Sequence, residues 1–430
     1  MVKTLTSRAR GLARRLPFFN GWIVAGCAMC SNMARQGAAV ATLSMFVVPM
    51  TLEFGWSRTA ISGAVSLGSL LGALSAPFIG PLFDRHGSRA LLVASAIVVS
   101  GCCVALAGTQ SLAWFYAAFG LSRMMFSTQF DVGTTSAVAN WFFRRRAAAM
   151  SLLAMSTGVG LAVIPFVTQL VVVAHGWRAG WLVLAAMVLL VGALPQWLLL
   201  VRKPEDIGLA LDGAATAAPD DGSDKVSGET SKEVSYTRGE AMRTPALWLL
   251  MAFTLLMFPV QAGISLHQAP HLMERGLSPA LAAAAVSVFS VAAALASLAF
   301  GALGQRAPVR GLLAGGALLM AAGAIMMRAV DGPALAFASA IAFGAGIGGI
   351  FTMLPVAWAN YFGRAHFGAI RGVTLPAQVG GQALGPLIAG VLHDRRGDYG
   401  AGLAVFAAMS ACAAVVALLV RAPRIAKSGD

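Results

Sequence analysis

Apolar runs of membrane-spanning length follow one another along the chain, with short polar breaks between them. They lie near residues 21–50, 58–82, 90–108, 113–142, 147–173 and 180–201, and again near 245–273, 279–305, 311–327, 333–362, 367–392 and 400–420. A helix needs roughly 20 residues to cross a hydrocarbon core about 30 Å thick, so each run predicts one helical span. Only one polar segment is long. Residues 202–243 separate the sixth run from the seventh and include an Ala-, Gly-, Asp- and Ser-rich stretch, Asp212 to Ser235, expected to be a flexible linker. Tyr236 to Thr244 reads as a short amphipathic helix on the membrane before Pro245 opens the seventh span. The expected organisation is a six-helix bundle over residues 1–201, a cytoplasmic linker over 202–243 and a second six-helix bundle over 244–430.

The two halves repeat each other. Gly80 to Arg89 (GPLFDRHGSR) aligns with Gly301 to Arg310 (GALGQRAPVR), with four of ten positions identical. Asn140 to Arg144 (NWFFR) aligns with Asn360 to Arg364 (NYFGR), and Gly160 and Pro165 align with Gly381 and Pro386. The offset stays at 220 or 221 residues, so the halves are parallel repeats, the arrangement of transporters whose substrate site lies between rocking halves.

Composition agrees with lipid as the main solvent, since 58% of the residues are hydrophobic and 11% are charged. The formal charge of +14 does not point to nucleic acid, because the basic residues sit in short connectors instead of forming one exposed face. With both termini inside, 22 of the 31 Lys and Arg fall in inner segments and 6 in outer connectors. That bias predicts cytoplasmic termini. The first run is too long for a signal peptide, so it is expected to remain as a span. The five cysteines all lie in apolar segments, and even the Cys27 and Cys30 pair has no accompanying ligand that would favour a metal or redox role.

Gly80, Asp84, Arg85, Gly87 and Arg89 meet every named position of G-x-x-x-D-R-x-G-x-R, and on these residues the chain resembles the major facilitator superfamily. The resemblance implies twelve helices in two pseudo-symmetric bundles. It also implies a conformational latch in this turn, in which Asp84 and the arginines act against neighbouring helix ends, with Arg306 and Arg310 in the second copy. Within that superfamily, Asn20-Gly-Trp22, Phe54-Gly-Trp-Ser57, Asn140 to Arg146 and Arg202 to Leu209 (RKPEDIGL) are similar to the monocarboxylate and oxalate/formate branch. The chain departs from that branch in span eight, where Pro279 to Gln305 carries no charge.

Ionisable residues inside spans are costly and mark candidate sites. Arg35 lies about 14 residues from either end of its run, and its head cannot cover the roughly 20 Å to an interface. It either binds an anion or pairs with an acid, and the branch resembled also has a cation in this helix. Arg123 and Asp131 lie in span four, eight residues apart and too far for a clean intrahelical pair. For Asp131, carrying a proton and pairing statically with Arg35 or Arg123 both stand. Arg371, early in span eleven, either reaches the inner headgroups or faces a cavity or partner inside the bundle. His267, in span seven, reads as a hydrogen-bonded packing residue or as a proton or substrate contact. Gln261, Gln378, Gln382, Thr352 and Trp358 are candidate neutral lining.

Three arginines against one aspartate leave a positive interior, which predicts an anionic substrate, carboxylate-like on the resemblance, with protons as a coupling partner. Gly344 to Gly349 fits G-x-G-x-x-G but lies within an apolar span with no strand before it, so it reads as close helix packing. No G-x-x-x-x-G-K-[ST] occurs. No cofactor, metal or nucleic acid is expected. The lipid bilayer is the surrounding partner, and a monomer in a bacterial inner membrane is the expected state. A transporter of another substrate class, such as a drug, sugar or dicarboxylate, is the alternative. An enzyme would need clustered acids, His or Cys at one depth, and a receptor would need a sizeable soluble domain.

Overall fold

The structure, a computed structural model, describes residues 19–213 and 235–423. Span one is split into α1 (Gly21–Ala34) and α2 (Val40–Phe54), with a 3-10 turn at Arg35–Ala38 and extended backbone at Ala39 between them. Then come α3 (Arg58–His86) and α4 (Ser88–Ala107). Span four is split as well, into α5 (Leu112–Ser127) and α6 (Gln129–Trp141) around Thr128, whose φ of −121° and ψ of −66° leave the helical region. The first half closes with α7 (Arg146–His175) and a sixth span made of α8 (Trp177–Met187), a π turn at Val188–Ala193 and α9 (Leu194–Leu199).

After the short helix α10 (Arg238–Met242), the second half runs as unbroken spans: α11 (Pro245–Glu274), α12 (Pro279–Leu303), α13 (Val309–Arg328), α14 (Pro333–Phe362), α15 (Phe367–Arg396) and α16 (Gly400–Leu419). Among the described residues, eleven helical stretches are long and apolar enough to cross a membrane. The fourth span is not among them; it carries Arg123, Gln129 and Asp131 and is divided at Thr128. The protein is an all-α membrane protein with the twelve-helix, two-half architecture expected from its repeats.

Local chemistry accounts for the helix limits. Ser57, Ser111, Thr244 and Ser278 accept backbone N–H groups at the starts of α3, α5, α11 and α12, and Pro occupies the first turn of α11, α12 and α14, where its missing N–H costs nothing. The expected amphipathic helix before span seven is α10, closed by a capping box between Thr237 and Glu240. The expected linker divides. Its middle lies outside the described residues, but residues 201–213 are folded, with Pro204 and Ile207 buried in a 3-10 turn and a second short turn at Leu211–Gly213.

The halves meet at the end of the bundle that carries the linker. There α3 packs on α15 and α12 packs on α7, a pair of contacts related by the repeat. A Cβ at Gly80 would overlap the Gly368 carbonyl, and one at Gly301 would overlap the Ser151 side chain, so glycine is what lets these backbones touch.

Candidate functional site

The two broken spans create the site. Unwinding a helix inside a membrane frees backbone carbonyls that must find partners in the protein. In span one they do. The Thr42 hydroxyl donates to Gln36 O at 2.6 Å, and Arg123 Nη1 donates to Ala38 O at 3.2 Å. Arg123 Nε also donates to Ser69 Oγ at 3.2 Å. At the break in span four, the Thr128 hydroxyl donates to Gly72 O at 2.6 Å.

The breaks also set the charges. Arg35 follows the last residue of α1, where a helix C-terminus favours a cation, and Asp131 sits in the first turn of α6, where a helix N-terminus favours an anion. Their side chains meet, with Arg35 Nη1 at 3.5 Å from Asp131 Oδ1. The shorter contact comes from the other half: Arg371 Nη2 lies 2.7 Å from Asp131 Oδ2. Arg371 is 3% exposed and also reaches Gln378 Oε1 at 3.2 Å. The guanidinium carbons of Arg35 and Arg123 lie 4.9 and 4.1 Å from the Phe126 ring centroid, so both cations rest against one aromatic ring. Two guanidiniums therefore meet one carboxylate, a third shares the Phe126 ring with Arg35, and two positive charges remain unmatched among the described residues.

Arg371 does not reach toward headgroups; it turns inward and ties α15 to α6 across the halves. Thr374, Gln378 and Gln382 follow it at three, seven and eleven residues, a polar stripe on one helix face that could have marked it. Gln382 Nε2 continues the stripe by donating to Gln261 Oε1 at 3.4 Å. His267 stands apart from this cluster, with Nδ1 3.3 Å from the Tyr399 hydroxyl. Thr352 and Trp358 are not lining residues, since both are fully buried and Thr352 bonds back to Gly348 O. The five cysteines are free thiols.

In the latch turn Asp84 meets a neighbouring helix end, while the arginines do not share that contact. Asp84 does not pair with an arginine; its carboxylate accepts the N–H groups of Gly368 and Ala369 at 2.8 and 2.7 Å, at the N-terminus of α15 in the other half. Arg89 instead donates to Trp197 O and lies against the Trp197 ring. Arg85, Arg306 and Arg310 are exposed and make no hydrogen bond or ion pair among the described residues. The links that were not legible in advance are Arg146 to Asn360 Oδ1 at 2.8 Å, Arg364 to Asn140 O at 2.9 Å, and Arg364 to Glu205. Glu205 belongs to the linker. Burial pushes its carboxyl up, but the hydrogen bond and charge of Arg364, its own backbone N–H and the charge of Lys203 together leave it below the ordinary carboxylate value.

Comparison with known proteins places this geometry in a family. Monocarboxylate transporter 11 of Mus musculus is 25% identical over 411 residues, which cover 90% of this chain and 84% of that protein. The membrane sensor protein UhpC of Escherichia coli is 25% identical over 287 residues, 63% of this chain and 64% of that one. Among solved structures, the human organic anion transporter MFSD10 superposes with a TM-score of 0.71 at 14% identity, over 94% of this chain and 100% of that one. The transporter FucP in its outward conformation superposes with a TM-score of 0.70 at 13% identity, over 93% of this chain and 99% of that one. The family model described as Major Facilitator Superfamily matches residues 22–270 and 268–430, so nearly the whole chain is covered, and the chain belongs to that superfamily of membrane transporters.

Proposed function

We propose that this transporter carries a small organic anion of monocarboxylate type, by alternating access and with a proton as coupling ion. The observation that carries the reading is the buried cluster in which Arg35 and Arg371 share the single carboxylate of Asp131 while Arg123 lies beside Arg35 on the Phe126 ring. A guanidinium presents paired donors that match a carboxylate, and an entering anion would offset charge that the protein leaves unmatched. The relatives named as monocarboxylate transporters support the same substrate class. A neutral sugar or drug would leave the cluster uncompensated. A dicarboxylate is the second reading, favoured by the two unmatched charges.

The cluster also supplies a coupling route. Asp131 joins the halves through Arg371, while Arg35 and Arg123 belong to the first half alone. In the proposed cycle the anion binds Arg35 and Arg123 from the end opposite the linker. A proton on Asp131 removes the charge that holds Arg371, and the contact between α6 and α15 weakens. The linker end then opens and the anion leaves with the proton. Gln261, Gln378 and Gln382 orient the rest of the substrate, and the Asp84 latch sets the balance between the two end states.

In the cell we place the chain as a monomer in a bacterial inner membrane, with the linker and both termini cytoplasmic and with bundles over 1–201 and 244–430. The bias of Lys and Arg toward the linker end supports that orientation. Uptake of radiolabelled small acids into proteoliposomes, with and without an inward-acidic gradient, tests the function. Gradient-driven accumulation of a monocarboxylate is expected, and failure of every small acid to enter would overturn the reading.

A further inference from the structure

Arg89 and Arg202 in the first half have repeat counterparts in Arg310 and Arg421, since Val201-Arg-Lys-Pro204 reads again as Val420-Arg-Ala-Pro423. The two pairs have different surroundings. In the first half, Arg202 lies along Gly87 and donates to Asp84 O, and Arg89 donates to Trp197 O against its ring. That corner is filled by the protein's own cations.

In the second half the partners are replaced. Gly87 becomes Pro308, which carries a ring where glycine leaves room for Arg202, and Asp84 becomes Gln305. Val416 stands at the counterpart of Trp197 and offers no ring. As a result Arg310 and Arg421 are exposed and make no hydrogen bond or ion pair among the described residues. Between them is a cavity of about 930 Å³, walled by the α12–α13 turn, by Asn360 and Tyr361 at the end of α14, and by residues 420–423 after α16. Two unpartnered guanidiniums, a phenol and a roomy cavity form a receptor for an anion with several oxygens.

We propose that this cavity at the linker end of the second half binds a phosphate-bearing group, held by Arg310 and Arg421, with the headgroup of an anionic phospholipid as its source. The cavity lies where helix ends meet the membrane surface, and basic pockets at that level suit lipid phosphates. The choice of the inner leaflet rests on the orientation proposed above; the binding chemistry does not.

The test uses the purified full chain and native mass spectrometry, with phosphatidylglycerol, phosphatidylcholine and inorganic phosphate as separate probes. Wild type should retain phosphatidylglycerol over phosphatidylcholine, and the double variant Arg310→Gln/Arg421→Gln should bind phosphatidylglycerol about tenfold more weakly. Arg243→Gln, which removes an exposed charge outside the cavity, should bind as wild type does. Ala422→Trp, which narrows the cavity and keeps both charges, should also weaken lipid binding. If inorganic phosphate binds wild type but not the double variant while the lipid has no effect, the phosphate site stands with a soluble source. If the double variant keeps wild-type affinity for both probes, the proposal is overturned. Uptake by the unmodified protein is not the readout, so this outcome is separate from the fate of the proposed function.

Discussion

Asp131 and Arg371 come from opposite halves of the chain and meet at 2.7 Å inside the bundle, while Arg35 approaches the same carboxylate at 3.5 Å from within the first half. One acid thus answers both to a residue of its own half and to a residue across the interface. Removing Arg371 deletes the shorter contact but leaves Asp131 with Arg35, so the cost stays below the roughly 3–5 kcal/mol of stranding a buried charge outright. Arg371→Gln should therefore lower the thermal unfolding midpoint. The double variant with Asp131→Asn should lose less than the sum of the two single losses, and strictly additive losses would show that the two residues are not coupled.

The backbone contact between α3 and α15 predicts a steric effect. Gly80→Ala places a methyl against the Gly368 carbonyl, and relief requires the halves to separate at the linker end. Overpacking of this kind costs about 1–3 kcal/mol. A cysteine in place of Ser151, a near-isosteric change at the matching contact with Gly301, should become more reactive to a soluble maleimide in the Gly80→Ala background. Unchanged reactivity would mean that the helices absorb the methyl without parting.

Asp84 caps a helix of the opposite half through two N–H groups and touches no residue of the arginine cluster. Asp84→Ala should slow transport by shifting the balance of end states while leaving the equilibrium affinity for substrate within about twofold. An equal fall in affinity and rate would put Asp84 in the binding site.

Glu205 gives the linker end a pH dependence. Its carboxyl is held below the ordinary value by Arg364 together with its own backbone N–H and Lys203, so the stabilisation is present above the ordinary carboxylate pKa and is lost as pH falls through the lowered one. Glu205→Gln should remove that acid-side loss. Stability of wild type and variant measured from neutral pH downward should converge at the acid end; parallel curves would contradict the assignment.

How much of this was legible in the chain follows from what each feature depends on. Span number and repeat were readable because runs of apolar residues and the glycine and arginine spacing of the turns are local properties. The breaks at Arg35–Ala38 and Thr128 were not, because short polar stretches such as Arg35-Gln36-Gly37 and Ser127-Thr128-Gln129 do not by themselves unwind a span, and the Ala38 carbonyl freed in span one is satisfied from another helix by Arg123. Asp131 is recognisable as costly, but its main partner lies 240 residues away, on a helix where the headgroups are an equally open destination. Part of the linker is hard to read for the opposite reason: its polar composition hides the short turn that buries Pro204 and Ile207.

The central claim is that the arginine cluster carries the substrate's negative charge, and Arg35 is its most direct probe. Equilibrium binding of a radiolabelled monocarboxylate to purified wild type, Arg35→Lys and Arg35→Gln should give full, reduced and undetectable binding in that order, because lysine keeps the charge and loses the paired donors. All three proteins should elute as folded, monodisperse species. Arg35→Gln binding the carboxylate with wild-type affinity would contradict the account and leave Arg35 as a structural partner of Asp131.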